Sequence, residues 1–112
     1  MNPLKVSKLL ADEYNVKILA ATFKDSKSAQ ELSLKFDIPI AACYRRIREL
    51  EMTGMIECSE RILSQKGKRV KLYRSQVKGV YLFYESGKLR VKLDMTNFQA
   101  HDVDETWHAL DY

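Results

Sequence analysis

Apolar residues recur at helical spacing through the first half of this chain and at alternate positions through the second. Asn2 is positioned to cap a helix with Pro3 at its first residue, where the missing N–H costs nothing, and Leu4, Leu9 and Leu10 give it an apolar face. Asp12 is a candidate cap for a stretch with Tyr14, Ile18, Leu19 and Phe23 at helical spacing. The pattern leaves open whether 3–23 is one helix or two. After the polar connection 24–27, Ser28 and Glu31 form an S-x-x-E capping box, and Leu32 and Phe36 supply the buried stripe. Pro39 disfavours helical geometry at the residue before it, so this helix ends near 37–38. The next starts near Pro39 or Ile40 and ends at Gly54, a left-handed cap. On it Cys43, Ile47 and Leu50 share the core face. Ala41, Tyr44, Arg45 and Arg48 lie opposite, with Arg46 on a flank.

From Met55 the period becomes two. Ile56, Cys58, Glu60 and Ile62 alternate with Glu57, Ser59, Arg61 and Leu63; after a glycine-containing loop, Val70, Leu72 and Arg74 alternate with Lys71, Tyr73 and Ser75. A second hairpin follows: 77–84 is β-branched and aromatic, Glu85-Ser86-Gly87 suits a three-residue loop with Gly87 left-handed, and Leu89, Val91 and Leu93 alternate with Arg90 and Lys92. The pattern therefore predicts an α+β domain over 1–95, a winged helix-turn-helix with an additional C-terminal β-hairpin. An acidic tail, 96–112, would dock, form a short helix or remain disordered.

Charge sharpens this picture. Before residue 94 there are 19 basic and 10 acidic side chains, and after it five acidic and no basic ones, counting Asp94 with the tail. The stretch 61–78 carries Arg61, Lys66, Lys68, Arg69, Lys71, Arg74 and Lys78 with no acid. Behind a helix-turn-helix pattern such a run points to a phosphate-binding surface rather than an ordinary solvated face. With 46% hydrophobic and 30% charged residues the composition is that of a globular domain. No apolar run approaches the roughly 18–20 residues of a membrane span, and the N-terminus lacks a signal-peptide core. Cytoplasmic location and no membrane partner are the expectations.

Catalytic signatures are missing: there is no glycine-rich phosphate loop and no G-x-S-x-G. A non-enzyme without cofactors is expected. His101 and His108 with Asp102, Asp104 and Glu105 are a weak metal candidate beside the plainer reading of a solvated tail. Cys43 and Cys58 match no metal-finger spacing and read as small apolar residues. Aromatics over 73–84 are core or subunit contact more readily than a base-stacking platform.

Several segments together resemble a family. Leu10–Leu19, Ser28–Leu32, Ala42–Leu50, Gly54-Met-Ile56 and Gly67–Tyr73 follow the order and spacing of the winged helix-turn-helix in ArsR-type transcriptional regulators, especially small archaeal relatives, over residues 8–76. The resemblance implies a recognition helix at about 40–53 and a basic wing at about 64–71. It also implies base or backbone contacts by Ala42, Tyr44 and Arg45, wing-tip contacts by Lys66, Lys68 and Arg69, and a homodimer. The paired-cysteine motif of metal-sensing members is absent, so metal sensing does not carry over. The expectation is a sequence-specific regulator that binds double-stranded DNA through Ser28, Ala41, Ala42, Tyr44, Arg45, Arg46, Arg48, Lys66, Lys68, Arg69 and Lys71. Two alternatives stand beside it: a non-specific architectural DNA-binding protein, and a protein-interaction module. The dimer is expected to use the first helix and the 77–93 hairpin.

Overall fold

The computed structural model describes residues 2–96 in full and 103–108 as a backbone strand. Four helices, α1 (Pro3–Ala11), α2 (Glu13–Lys24), α3 (Ala29–Phe36) and α4 (Ile40–Met52), precede two antiparallel sheets. The first sheet is a hairpin of β1 (Ile56–Leu63) and β2 (Arg69–Ser75). The second has the order β3 (Val77–Glu85), β4 (Lys88–Met95), β5 (Val103–His108). The arrangement is α+β, and no helix among the described residues is long and apolar enough to cross a membrane.

Asp12 divides the first helical stretch in two. Its backbone is extended (φ −83°, ψ 118°), its N–H donates to Leu9 O, and its carboxylate accepts from the Tyr14 and Asn15 N–H groups. The buried faces are rotated from those expected. On α1 they are Pro3, Val6 and Leu9, and on α2 Asn15, Ile18, Leu19 and Thr22, while Phe23 is exposed. Two polar residues can take core positions because each finds a backbone acceptor: Asn15 Nδ2 donates to Leu9 O at 3.0 Å and Thr22 Oγ1 to Ile18 O at 2.7 Å.

The capping box before α3 is formed in both directions. Glu31 N–H donates to Ser28 Oγ and Ser28 N–H to Glu31 Oε1, each at 3.1 Å. Ser28→Ala is expected to cost about 1 kcal/mol, read as a lower denaturation midpoint at constant slope. Asp37 then turns left-handed (φ 54°), Ser33 Oγ donates to Ile38 O, and Ile38 is buried, so the α3–α4 turn is fastened on both sides. As expected, Cys43, Ile47 and Leu50 of α4 are buried and Gly54 is left-handed (φ 77°).

Lys27 exchanges two backbone hydrogen bonds with Tyr73 (3.0 and 2.8 Å), so the segment before α3 lies against β2. Ser59 is an extra residue in β1: Cys58 pairs with Tyr73 and Glu60 with Leu72. Beyond this bulge both faces of β1 are exposed, Ile62 and Leu63 included, while Val70 and Leu72 of β2 are half-buried. At the root of β2 the buried side chains are Tyr73 and Ser75, one position out of phase with Val70 and Leu72.

Gln76 joins the two sheets. Its N–H donates to Met55 O, its carbonyl accepts from Thr96 N–H, and its side chain from Thr96 Oγ1. The β3–β4 connection is shorter than expected. Glu85 pairs with Lys88, leaving a two-residue turn in which Ser86 (φ 50°) and Gly87 (φ 77°) are both left-handed, a combination that matches strand twist. The acidic tail includes a strand, β5, which pairs with β4 from Lys88↔His108 to Leu93↔Val103. The metal candidate of that segment rests on side chains outside the described residues. Helix α1 packs against β4 and β5 within the chain, with Val6 and Leu9 buried. Val6 and Leu9 are thus covered within the chain, while Leu4 and Leu10 of the expected face stay half-buried.

Candidate nucleic-acid interface

Helix α4 starts without a side-chain cap at Pro39 and presents Ala41, Tyr44, Arg45 and Arg48 as exposed residues. Facing it is the β1–β2 loop. Ser64 closes that loop: its N–H donates to Lys68 O (2.7 Å), its carbonyl accepts from Gly67 N–H (2.9 Å) and its hydroxyl from Lys68 N–H (3.1 Å). Gly67 supplies the positive φ (75°) this compact loop requires. Lys66, Lys68 and Arg69 are held exposed around it.

Between α4, the start of α3 and the hairpin runs a cleft of about 840 Å³. Five cations line it, Arg48, Lys66, Lys68, Arg69 and Lys71, against one carboxylate, Glu51. Tyr44 stands on its helical wall. Tyr73 lies at its floor, 5% exposed, and burial, reinforced by the Glu51 charge, pushes its phenol up from the ordinary value. Such a cleft is suited to a polyanionic strand, with Tyr44 and Arg48 on one side and the loop on the other.

The candidate residues divide into two groups. Tyr44, Arg48, Lys66, Lys68, Arg69 and Lys71 converge on the cleft, and Ser28 lines it while its hydroxyl serves the capping box. Gln30 and Gln65 also line it. Neither stood out in the sequence, although Gln30 lies beside the capping box in the first turn of α3. Ala41 and Arg45 are exposed on α4 but do not line the cleft, and Ala42 is half-buried against the core.

Arg46 is the clear departure. Its guanidinium grips the Asp12 carboxylate at both oxygens (Nε at 3.1 and 3.2 Å, Nη2 at 2.9 Å) and lies 5.0 Å from the Tyr14 ring centre. Its side chain is only 16% exposed. Arg46 therefore ties α4 to the start of α2 and is not a free cation for phosphate. The sequence did not show this because its partner is 34 residues away.

Cys43 is fully buried, with Sγ 3.5 Å from Ala29 O. Burial pushes its thiol up, with a smaller opposing effect from the Arg46 charge, which makes it a poor nucleophile. Among the described residues no cluster of three or more His, Cys, Asp or Glu is arranged to hold a metal ion. Comparison with known protein families gives no match, and no curated protein matches the chain.

Proposed function

We propose that this chain is a winged helix-turn-helix protein that binds double-stranded DNA and regulates transcription, as its resemblance to ArsR-type regulators implies. In this reading α4 is the recognition helix in the major groove, and the β1–β2 hairpin is a wing against the neighbouring backbone. The cleft carries the proposal: a helix wall bearing Tyr44 and Arg48 faces a loop bearing Lys66, Lys68 and Arg69. Phosphate contacts by such cations supply affinity and register. Base choice then falls to exposed residues of α4, with Arg45 the candidate for a bidentate grip on guanine. Arg46 acts by orienting the helix.

Selection of bound duplexes from a random pool, followed by salt titration, tests this. A preferred sequence bound about 10³-fold or more above random DNA is expected of a regulator. Equal affinity for every duplex would make it an architectural protein, and no binding at low salt would end the proposal. Replacing Lys66, Lys68 and Arg69 by alanine is expected to weaken all sequences alike, and to reduce the salt slope by about 0.9 for each phosphate that is no longer neutralised. Arg45→Ala should instead cost about 1–3 kcal/mol at the preferred site only.

A further inference from the structure

Among the described residues strand β3 is the open edge of its sheet. The order is β3-β4-β5, so β4 pairs one side of β3, and the strand from the acidic tail occupies the far edge of β4. Edge strands of soluble proteins are ordinarily protected by charges, proline or irregularity. From Gly79 to Tyr84 this edge has no charge and no proline, and its one irregularity, the bulge at Lys78, lies before that run. Tyr81, Leu82, Phe83 and Tyr84 are 50%, 44%, 41% and 74% exposed.

Both faces of the strand are apolar. Val80, Leu82 and Tyr84 pair with Leu93, Val91 and Leu89 and so share the core face. Tyr81 and Phe83 share the other, where the Phe83 ring lies 4.4 Å from the Arg90 guanidinium and the Tyr81 ring lies over Gly79. Beside the first half of β3 an open groove of about 520 Å³ separates it from α2, walled by Val16, Leu19, Phe23, Val77 and Val80. The bulge at Lys78 puts both Val77 and Val80 on that side. One half of the strand thus borders an apolar hollow, and the other half carries an apolar projection, Tyr84.

We propose that β3 pairs antiparallel with β3 of a second copy about a two-fold axis at Leu82, making one continuous six-stranded sheet. In this register Leu82 faces its own equivalent, Tyr81 faces Phe83, and Val80 faces Tyr84. Each Tyr84 then stands beside the hollow of the other copy, so projection and hollow are exchanged. The ends agree in charge: Glu85 faces Gly79, next to Lys78 of the other copy, so opposite charges lie near one another at each end, whereas parallel pairing would set like charges together. A second β3 sets apolar side chains beside those of β3 on both faces of the joined sheet, where a partner with apolar residues on one face only would match a single face. From an aromatic side chain's area of about 150–250 Å², the exposed parts of these four residues with Val16 and Phe23 amount to at most roughly 600 Å² per chain. Edge pairing buries part of that together with the strand backbone, a contact smaller than the roughly 800 Å² per partner of a standard interface. The proposal stands on the sheet alone and holds whether or not the chain binds DNA.

Sedimentation of the full chain tests it. A dimer is expected at micromolar concentration, and a monomer there would overturn the proposal. Leu82→Lys sets two like charges face to face at the axis and is expected to raise the dissociation constant about tenfold or more. Should that variant fail to fold, Tyr84→Glu, at a mostly exposed position, gives the same reading. A dimer indifferent to both substitutions would place the interface elsewhere. Leu82→Cys in a Cys58→Ser background fixes the register: mild oxidation should cross-link two chains through the new thiols and leave the Cys58→Ser parent, whose remaining Cys43 is buried, uncross-linked. Absence of that cross-link in a dimeric variant would overturn the two-fold at Leu82.

Discussion

Leu50→Ala is expected to destabilise the fold by about 2–5 kcal/mol, a large share of the about 5–15 kcal/mol that holds a domain of this size. Leu50 is fully buried in the last turn of α4, among a core that includes Ile47, Met55 and Ile56. Its carbonyl accepts from Thr53 Oγ1 (2.8 Å) and Met55 N–H (3.1 Å), so its side chain and backbone meet where the helix hands over to β1. Truncation leaves a cavity that a helix fixed at both ends relaxes into poorly. The denaturation midpoint should fall with its slope unchanged. Met52→Ala, two residues away and 79% exposed, should stay within about 0.5 kcal/mol of the wild type. Equal effects of the two would contradict the assigned core face of α4.

Asp12→Ala is expected to have the next largest effect, about 2–3 kcal/mol, because one carboxylate does two jobs. It caps α2 at two N–H groups, worth about 0.5–2 kcal/mol. It also holds Arg46, and its loss leaves a mostly buried guanidinium without its partner. The hydrogen bonds from Arg46 hold the Asp12 carboxyl below its ordinary value, more than burial raises it. A carboxyl depressed in the folded state contributes stability above its unfolded value, about 3.9. That contribution is lost as pH falls through the lower folded value. Urea unfolding at pH 7 and pH 3 should therefore show a smaller pH difference in Asp12→Ala than in the wild type. An equal difference would assign the acid sensitivity to other carboxylates.

What was legible in the sequence was what is local. The Ser28–Glu31 box, the Pro3 start, Gly54 and the α4 core face each depend on residues within one or two turns, and they stand as expected. The rotated faces of α1 and α2 were not legible, because Asn15 and Thr22 read as polar and become core residues only once Leu9 O and Ile18 O accept from them. The same limit applies to the cleft. Its cations could be named from the run 61–78, but Arg45 and Arg48 differ by a single helical turn, and only the position of the hairpin separates the one that lines it. Arg46 was placed on a flank and counted among the DNA contacts because its partner, Asp12, lies 34 residues away at the junction of α1 and α2. The strand in the acidic tail depends wholly on the edge that β4 offers it.

The β1–β2 hairpin separates reach from chemistry. It is fastened at its root, where Ile56 and Tyr73 are buried, Tyr73 pairs with Lys27, and Ser59 meets Ser26 (2.8 Å). Beyond the extra residue at Ser59 it is mostly exposed, with Val70 and Leu72 half-buried, and projects like a boom pivoted at one end. A slight rotation at the root is magnified at Lys66 and Lys68, several residues farther out. Small changes at Ser26 or Ser59 would thus re-aim the basic tip while every cation on it stayed the same, letting the span between helix and loop be retuned by residues that touch neither end of it.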